Sequence, residues 1–293
     1  MFMSVLQGVP LPRANAQPPS TPGLPEVRIG FPKALFKDVH PGLIEAAAKP
    51  FQDMIQKTAG MSGSLEIAPD YKDLAQKLSN NKLDIALFHG FEYAWVKHDP
   101  NLIPIVITVP NCGKVQACLV VNTTSTAKSV SDLKGACVAI PRGSKAHCEM
   151  FFERIREEIP AKERAECCCP AKLGRLTPEE ALDAVVNNDC EAALVDVSAL
   201  IAYRNGRPGV SSWLKVLRES EPLPSAVVVY RNGSLTPEQV KNVRDGLVNC
   251  VKTPMGKTFV LFWNLKGFED VTDSYKTLLE KCRVSYPPPA APK

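Results

Sequence analysis

The segment Gly143-Ser144-Lys145-Ala146-His147 gathers a hydroxyl, an ammonium and an imidazole where an apolar stretch, Ala136 to Ile140, gives way to a helical pattern reaching about Glu158. The first N–H groups of a helix have no partner inside it, and the helix dipole adds positive potential there, so such a turn suits an anion. Ser144 either caps this helix or touches the anion, and the two roles are compatible. A second polar group, His89-Gly90-Phe91-Glu92-Tyr93, follows the apolar run Leu83 to Phe88. His89 is a further donor there, and Tyr93 is either a cleft residue or part of the core. Glu92 would repel an anion, so it points away from one or meets an amino group. Asp196 and Ser198 stand just after a third run, Ala192 to Val195, where Asp196 is placed to cap a helix beginning at Val197. Phe31 ends the first apolar run and, with Pro32 to Lys37, is a candidate wall; Lys33 and Lys37 would add positive field.

The elements that must position these residues alternate strand and helix, the pattern of an α/β protein with a mostly parallel sheet. Strands are expected at Val27–Phe31, Leu65–Ala68, Leu83–Phe88 and Ile103–Val109, then at Val115–Asn122, Ala136–Ile140, Ala192–Val195, Lys215–Arg218 and Ala226–Tyr230. Leu43, Ile44, Ala47, Phe51, Met54 and Ile55 recur at helical spacing. Asp70 is an N-cap, and Thr177-Pro178-Glu179-Glu180 and Thr236-Pro237-Glu238-Gln239 are capping boxes with proline at the first helical position. Helices near Pro254–Trp263 and Asp270–Cys282 close the chain. Asn80-Asn81-Lys82-Leu83-Asp84-Ile85-Ala86-Leu87 is echoed by Asn187-Asn188-Asp189-Cys190-Glu191-Ala192-Ala193-Leu194, which suggests two lobes on one plan. In open α/β sheets ligands sit beyond the C-terminal strand ends, which here means the loops after Phe31, Phe88, Ile140 and Val195.

The 293 residues suffice for two such lobes, and 45% apolar with 23% charged residues is an ordinary globular balance. A net charge of +4, dispersed along the chain, argues against nucleic-acid binding, and no apolar run is long enough to span a bilayer. Catalytic signatures are absent: there is no G-x-S-x-G, H-E-x-x-H or P-loop, and His147 beside Cys148 on one helix is poor geometry for a base and its nucleophile. The expectation is a binding protein and not an enzyme, without cofactor or metal. Ten cysteines, including the triplet Cys167-Cys168-Cys169, fit an exported protein with disulfides, the triplet pairing with Cys148 or Cys190, or with free thiols. They also leave open a thiol-based redox or metal-binding protein, which requires low-pKa thiols or convergent ligands. Ala14-Asn15-Ala16 fits a signal-peptidase site, so residues 1–25 are read as a clipped signal peptide and linker, and Tyr286 to Lys293 as a flexible tail.

Val27-Arg28-Ile29-Gly30, Pro69-Asp70-Tyr71-Lys72-Asp73-Leu74 with Lys82-Leu83-Asp84-Ile85-Ala86, Ser129-Val130-Ser131-Asp132-Leu133-Lys134-Gly135, Ser220 to Pro224, and Gly267-Phe268 with Tyr275 follow one another in an order that resembles the periplasmic phosphate, phosphite and phosphonate-binding components of ABC transporters. The resemblance spans Val27 to Leu279. It implies a type II periplasmic-binding fold: one lobe from 26–112 plus 219–285, another from 113–218, and a ligand cleft between them. It further implies a soluble, monomeric periplasmic receptor for a small oxyanion and an ABC permease as partner; a sensing receptor module is the alternative. In that family a Ser/Thr-rich turn holds the phosphonate oxygens. Ser144 matches its first hydroxyl, whereas Lys145, Ala146 and His147 depart from it. The resemblance also implies a cleft-facing hydroxyl at Tyr93, an acidic residue for a ligand amine near Asp196, and a weaker contact at Ser198.

Overall fold

The structure is a computed structural model describing residues 26–36, 40, 43–133, 135–141, 144–159, 169–170 and 176–289. The signal peptide and linker expected in residues 1–25, Lys37 of the first-strand loop, Gly143 of the anion turn, and Cys167 and Cys168 of the triplet lie outside these residues. The strands are β1 (Glu26–Pro32), β2 (Ser62–Ala68), β3 (Ile85–Phe88), β4 (Leu102–Pro110), β5 (Ala117–Asn122), β6 (Cys137–Ala139), β7 (Cys169–Pro170), β8 (Ala192–Asp196), β9 (Leu214–Glu219), β10 (Val227–Arg231) and β11 (Leu265–Asp270). The helices are α1 (Ile44–Ala59), α2 (Tyr71–Ser79), α3 (Gly90–Val96), α4 (Ala146–Glu157), α5 (Pro178–Val186), α6 (Val197–Gly206), α7 (Pro208–Ser211), α8 (Pro237–Val248), α9 (Pro254–Phe262) and α10 (Asp273–Ser285).

Two sheets divide the strands. The first has the order β11-β4-β10-β3-β1-β2 and takes strands from both ends of the chain; the second has the order β7-β6-β8-β5-β9 and takes them from the middle. Both are mixed, which corrects the expectation of mostly parallel sheets. β1 pairs in parallel with β2 and β3, and β6 with β7 and β8, but β10 runs against β3 and β4, β11 against β4, and β5 against β8 and β9. The reason is connectivity. The strands flanking the crossings between the sheets, β4, β5, β9 and β10, carry the chain in or out, so they cannot all take the direction set by the strand–helix–strand units.

Each sheet is buried on both faces, as continuous apolar strands require. Ile85 and Leu87 face one core with Phe51 and Ile55 of α1; Ala86 and Phe88 face another with Leu74 and Leu78 of α2. In the second sheet Leu119 and Leu194 pack on Phe151 and Ile155 of α4, while Val120 and Val195 pack on Leu182 and Val185 of α5. Asp70, Thr177 and Thr236 cap α2, α5 and α8 as their sequence positions indicate.

The sequence echo has a structural counterpart. Asn81 and Asn188 both adopt positive φ, 57° and 62°, where helices α2 and α5 turn toward the next strand. Asp84 then accepts a hydrogen bond from Arg28 N of β1 at 2.9 Å, and Glu191 accepts one from Cys137 N of β6 at 2.6 Å. In return Asp84 N and Glu191 N donate to the carbonyls of Arg28 and Cys137.

The far end of the chain departs from the reading of a tail that is loose from Tyr286 onward. Tyr286 is buried: its hydroxyl donates to Glu221, its carbonyl accepts from Trp95 Nε1 at 2.7 Å, and Arg154 of α4 lies 4.8 Å from its ring centroid. It is thereby held between α3 and α4, one from each side of the molecule.

Candidate functional site

Two strands of the echo end side by side in function, one in each sheet. β3 finishes at Phe88 and hands over to His89, the N-cap of α3; β8 finishes at Asp196, the N-cap of α6. The two caps occupy the same position of the repeated pattern. Asp196 accepts from Ser198 N at 2.9 Å and from the Ser198 hydroxyl, so its capping role is realised. At α3 the capping carboxylate comes from Glu92 instead, which accepts from His89 N at 3.2 Å. His89 stacks on Phe91 with ring centroids 5.1 Å apart.

Asp196 is the centre of a charged cluster. Lys145 Nζ lies 3.1 Å from Oδ1 and 3.4 Å from Ser198 Oγ. His147 Nε2 lies 2.8 Å from Oδ2, although its ring N–H is not aligned for an ordinary hydrogen bond. Burial pulls the Asp196 carboxyl up, but His147, Lys145 and Ser198 outweigh it and hold the group well below the usual carboxylate range. Asp196 and His147 are buried, whereas half of the Lys145 side chain remains exposed, 54%. Glu92 shows the opposite balance. Only 5% exposed and without a cation, it is pushed up to about 7 by burial, which the His89 N–H offsets in part and Asp70 reinforces.

A cavity of about 410 Å³ runs between the two sides. Lys145, Ala146, His147, Asp196 and Ser198 line it from the second sheet; His89, Gly90 and Phe91 line it from the first. Gly90 is required where α3 approaches the returning chain: a Cβ there would overlap the carbonyl oxygens of Pro224 and Ser225. A larger depression of about 560 Å³ opens elsewhere, between the crossing segments and α10, but it contains neither strand-end cap.

Three of the expected site residues stand apart from this cavity. Tyr93 is 4% exposed and its hydroxyl donates to the carbonyl of Leu102 at 3.2 Å, so it serves the core of the first lobe and does not face the cleft. It lies on the side of α3 turned to Phe88 and Leu102, one turn away from His89. Phe31 is 1% exposed and packs edge-on against Phe36 and Phe51; the first-strand loop reaches the cavity through Ala34 and Leu35 instead. Ser144 is buried, is not the N-cap of α4 and lies beside Cys148, whose thiol its hydroxyl can reach; the N-cap is Lys145, which makes no side-chain capping bond.

The sequence reading missed the opposite wall. Phe259, Phe262, Trp263, Leu265 and Phe268, from α9 and β11, line the cavity. Positions 259, 262 and 263 share one helical face, a spacing that was present in the sequence as a signal.

The cysteines present a different chemistry from a reactive thiol. Cys112, Cys118, Cys137, Cys148, Cys190, Cys250 and Cys282 are free, so the pairing of the triplet with Cys148 or Cys190 is not seen among the described residues. Burial pushes the thiols of Cys118, Cys190 and Cys282 up to about 12, with Cys148 and Cys250 also raised. That is the reverse of what a thiolate nucleophile needs. Cys137 Sγ and Cys190 Sγ lie 3.0 Å apart at the strand ends remote from the cleft. Among the described residues no group of three or more His, Cys, Asp or Glu side chains is placed to hold a metal, and no helix is long and apolar enough to cross a membrane.

Residues 35–275 match the family described as "ABC transporter, phosphonate, periplasmic substrate-binding protein". Among solved structures the chain is similar to a Xanthomonas citri protein bound to ATP, with a TM-score of 0.63, 16% identity, and coverage of 89% of this chain and 96% of that one. It is similar to the binding-protein component of a phosphonate ABC transporter from Pseudomonas aeruginosa, with a TM-score of 0.58, 17% identity, and coverage of 89% and 86%. It is also similar to PhnD1 from Prochlorococcus marinus in complex with methylphosphonate, with a TM-score of 0.60, 14% identity, and coverage of 88% and 97%. These likenesses establish the type II periplasmic-binding fold.

Proposed function

We propose that this chain, which belongs to the family of periplasmic substrate-binding proteins of phosphonate ABC transporters, captures a phosphonate-like oxyanion between its lobes and delivers it to a membrane permease. The observation that carries this reading is the cavity between the strand-end caps, with the start of α4 and the Lys145 ammonium on its wall. Free N–H groups at the start of α4 and the Lys145 charge supply attraction for oxygens. Asp196 holds Lys145 in place, and His147 and Ser198 would stand beside an oxyanion bound there.

The lobes would comprise 26–112 plus 219–285 and 113–218, closing on ligand about the crossings near Gly113 and Glu219. An exported chain carries a leader, for which residues 1–25 are the candidate, and works as a soluble monomer. In an oxidising compartment Cys137 and Cys190 are the described cysteines placed to pair.

A thermal-shift screen of the chain from Gln17 onward, against phosphate, phosphite, methylphosphonate and small carboxylates, tests the reading. A ligand that binds only the folded state must raise the Tm. A rise with a phosphorus oxyanion supports it; a rise with carboxylates alone, or no rise with any anion at saturating concentration, rejects it.

A further inference from the structure

The two walls of the cavity are unlike in chemistry. The second-lobe wall holds the polar cluster of Lys145, His147 and Asp196, whereas the first-lobe wall, with His89, Thr108 and Asn264 as its polar residues, is mostly apolar, chiefly through Phe259, Phe262, Trp263 and Phe268. Phe259 and Phe268 belong to the core behind that wall, 4% and 5% exposed. Phe262 does not: it is 60% exposed, with its ring edge-on to Trp263 at 5.4 Å. Trp263 is in turn braced by Phe36 at 5.6 Å and Phe259 at 6.2 Å, so the wall is supported from behind. A bare oxyanion would satisfy the ionic side and leave this aromatic surface against water.

We infer that the cleft selects an oxyanion carrying an apolar substituent of phenyl or similar size: an aryl- or arylalkylphosphonate, with its charged oxygens at Lys145 and its hydrocarbon against Phe262 and Trp263. The inference rests on the proposed anion-receptor function and specifies its substrate class. A cavity of about 410 Å³ falls in the range that holds organic ligands of this size. The apolar part gains from leaving water, and a ring gains further from edge or offset contact with the two aromatic side chains. The division of labour is chemical. Charge–charge attraction at the ionic wall is common to every phosphonate, so discrimination between phosphonates comes from the aromatic wall.

Isothermal titration of the purified chain with phosphate, methylphosphonate and benzylphosphonate, and with benzyl alcohol as the uncharged control, tests this. Benzylphosphonate is expected to bind at least tenfold tighter than methylphosphonate, with benzyl alcohol not binding measurably. Phe262→Ala, at an exposed position where truncation spares the core, is expected to bring that ratio below threefold. Equal affinity of the wild-type chain for methyl- and benzylphosphonate overturns the inference and leaves the anion receptor standing. Absence of binding by all three anions overturns the receptor reading itself. A preference that survives in both Phe262→Ala and Trp263→Ala overturns the assignment to this wall.

Discussion

The two lobes repeat one backbone plan and load it with opposite electrostatics. In both, a helix ends at an asparagine with positive φ, a carboxylate ties the next strand to its parallel neighbour, and the strand ends at a helix cap on the cleft. In the first lobe the tying carboxylate is Asp84, gripped by the Arg28 guanidinium through 2.8 and 2.9 Å bonds, and the cleft cap is a histidine among aromatic rings. In the second lobe the tie, Glu191, holds the backbone N–H of Cys137 and no guanidinium among the described residues, and the cleft cap is a carboxylate beside a lysine and a histidine. The plan is fixed by backbone hydrogen bonding; the chemistry is chosen by the side chains hung at corresponding positions. One lobe carries its ion pair at the far end and a mostly apolar, uncharged lining at the cleft, and the other places Lys145 and Asp196 at the cleft.

The largest expected effect comes from breaking the first tie. Asp84→Ala removes the acceptor of the Arg28 N–H and leaves the part-exposed guanidinium to Asn81 and water, and should cost about 2–3 kcal/mol of stability in urea unfolding, whereas Glu191→Ala, which loses a single hydrogen bond, should cost about 1 kcal/mol. Equal losses would mean that the ion pair adds nothing to the shared backbone bond.

One buried carboxylate from each lobe, Glu92 and Asp196, sharpens the contrast through pH. Glu92, raised to about 7 in the fold against 4.5 for the free side chain, holds a proton that the unfolded chain has released. Stability should therefore fall as pH rises from about 4.5 to 7, by on the order of 2–3 kcal/mol, and Glu92→Gln should remove this slope. Asp196 has the opposite sign: its folded pKa is depressed, so its contribution is present above the unfolded value of 3.8 and is lost as pH falls below it. A Tm profile that is flat between pH 5 and 7 in the unmodified protein would remove Glu92 from this account.

At the ligand, Lys145→Ala should weaken phosphonate binding roughly tenfold, equivalent to about 1.4 kcal/mol; unchanged affinity would take the ammonium out of the site. The smallest effect is expected at Tyr93. Tyr93→Phe should lower stability by about 1 kcal/mol through loss of the bond to Leu102 and leave affinity untouched. A loss of affinity with stability intact would return its hydroxyl to the cleft.

Much of this architecture was legible because it is local. Apolar runs bounded by turn residues gave β1, β3, β4, β5 and β8, and Asp70, Thr177 and Thr236 marked helix starts through short-range capping chemistry. The position of Asp196 as a cap was readable in the same way. Strand direction was not, since whether β10 runs with or against β3 depends on a crossing between lobes and leaves no mark on the residues themselves. β11 escaped because Leu265 to Asp270 is an edge strand with two exposed acidic residues and a glycine, a weak apolar pattern by any count. Tyr93 was misplaced by one turn of helix. Tyr93 stands five positions past the end of β3, one full turn of α3 beyond His89, and that turn carries its side chain away from the strand end and into the core with Phe88 and Leu102. The aromatic wall was visible as a helical face, but only the fold shows that this face meets a cleft.

Gly90 bears on how this molecule can vary. The backbone of the returning chain occupies the space where its side chain would begin. Every amino acid one nucleotide away from a glycine codon carries a Cβ, so position 90 has no harmless neighbour in mutational space. Alanine, the smallest possible step, already collides with two carbonyl oxygens held by the strand pairing that follows. A deep mutational scan should therefore show position 90 empty of tolerated changes, while exposed Phe262, across the same cavity, drifts freely unless ligand choice is under selection.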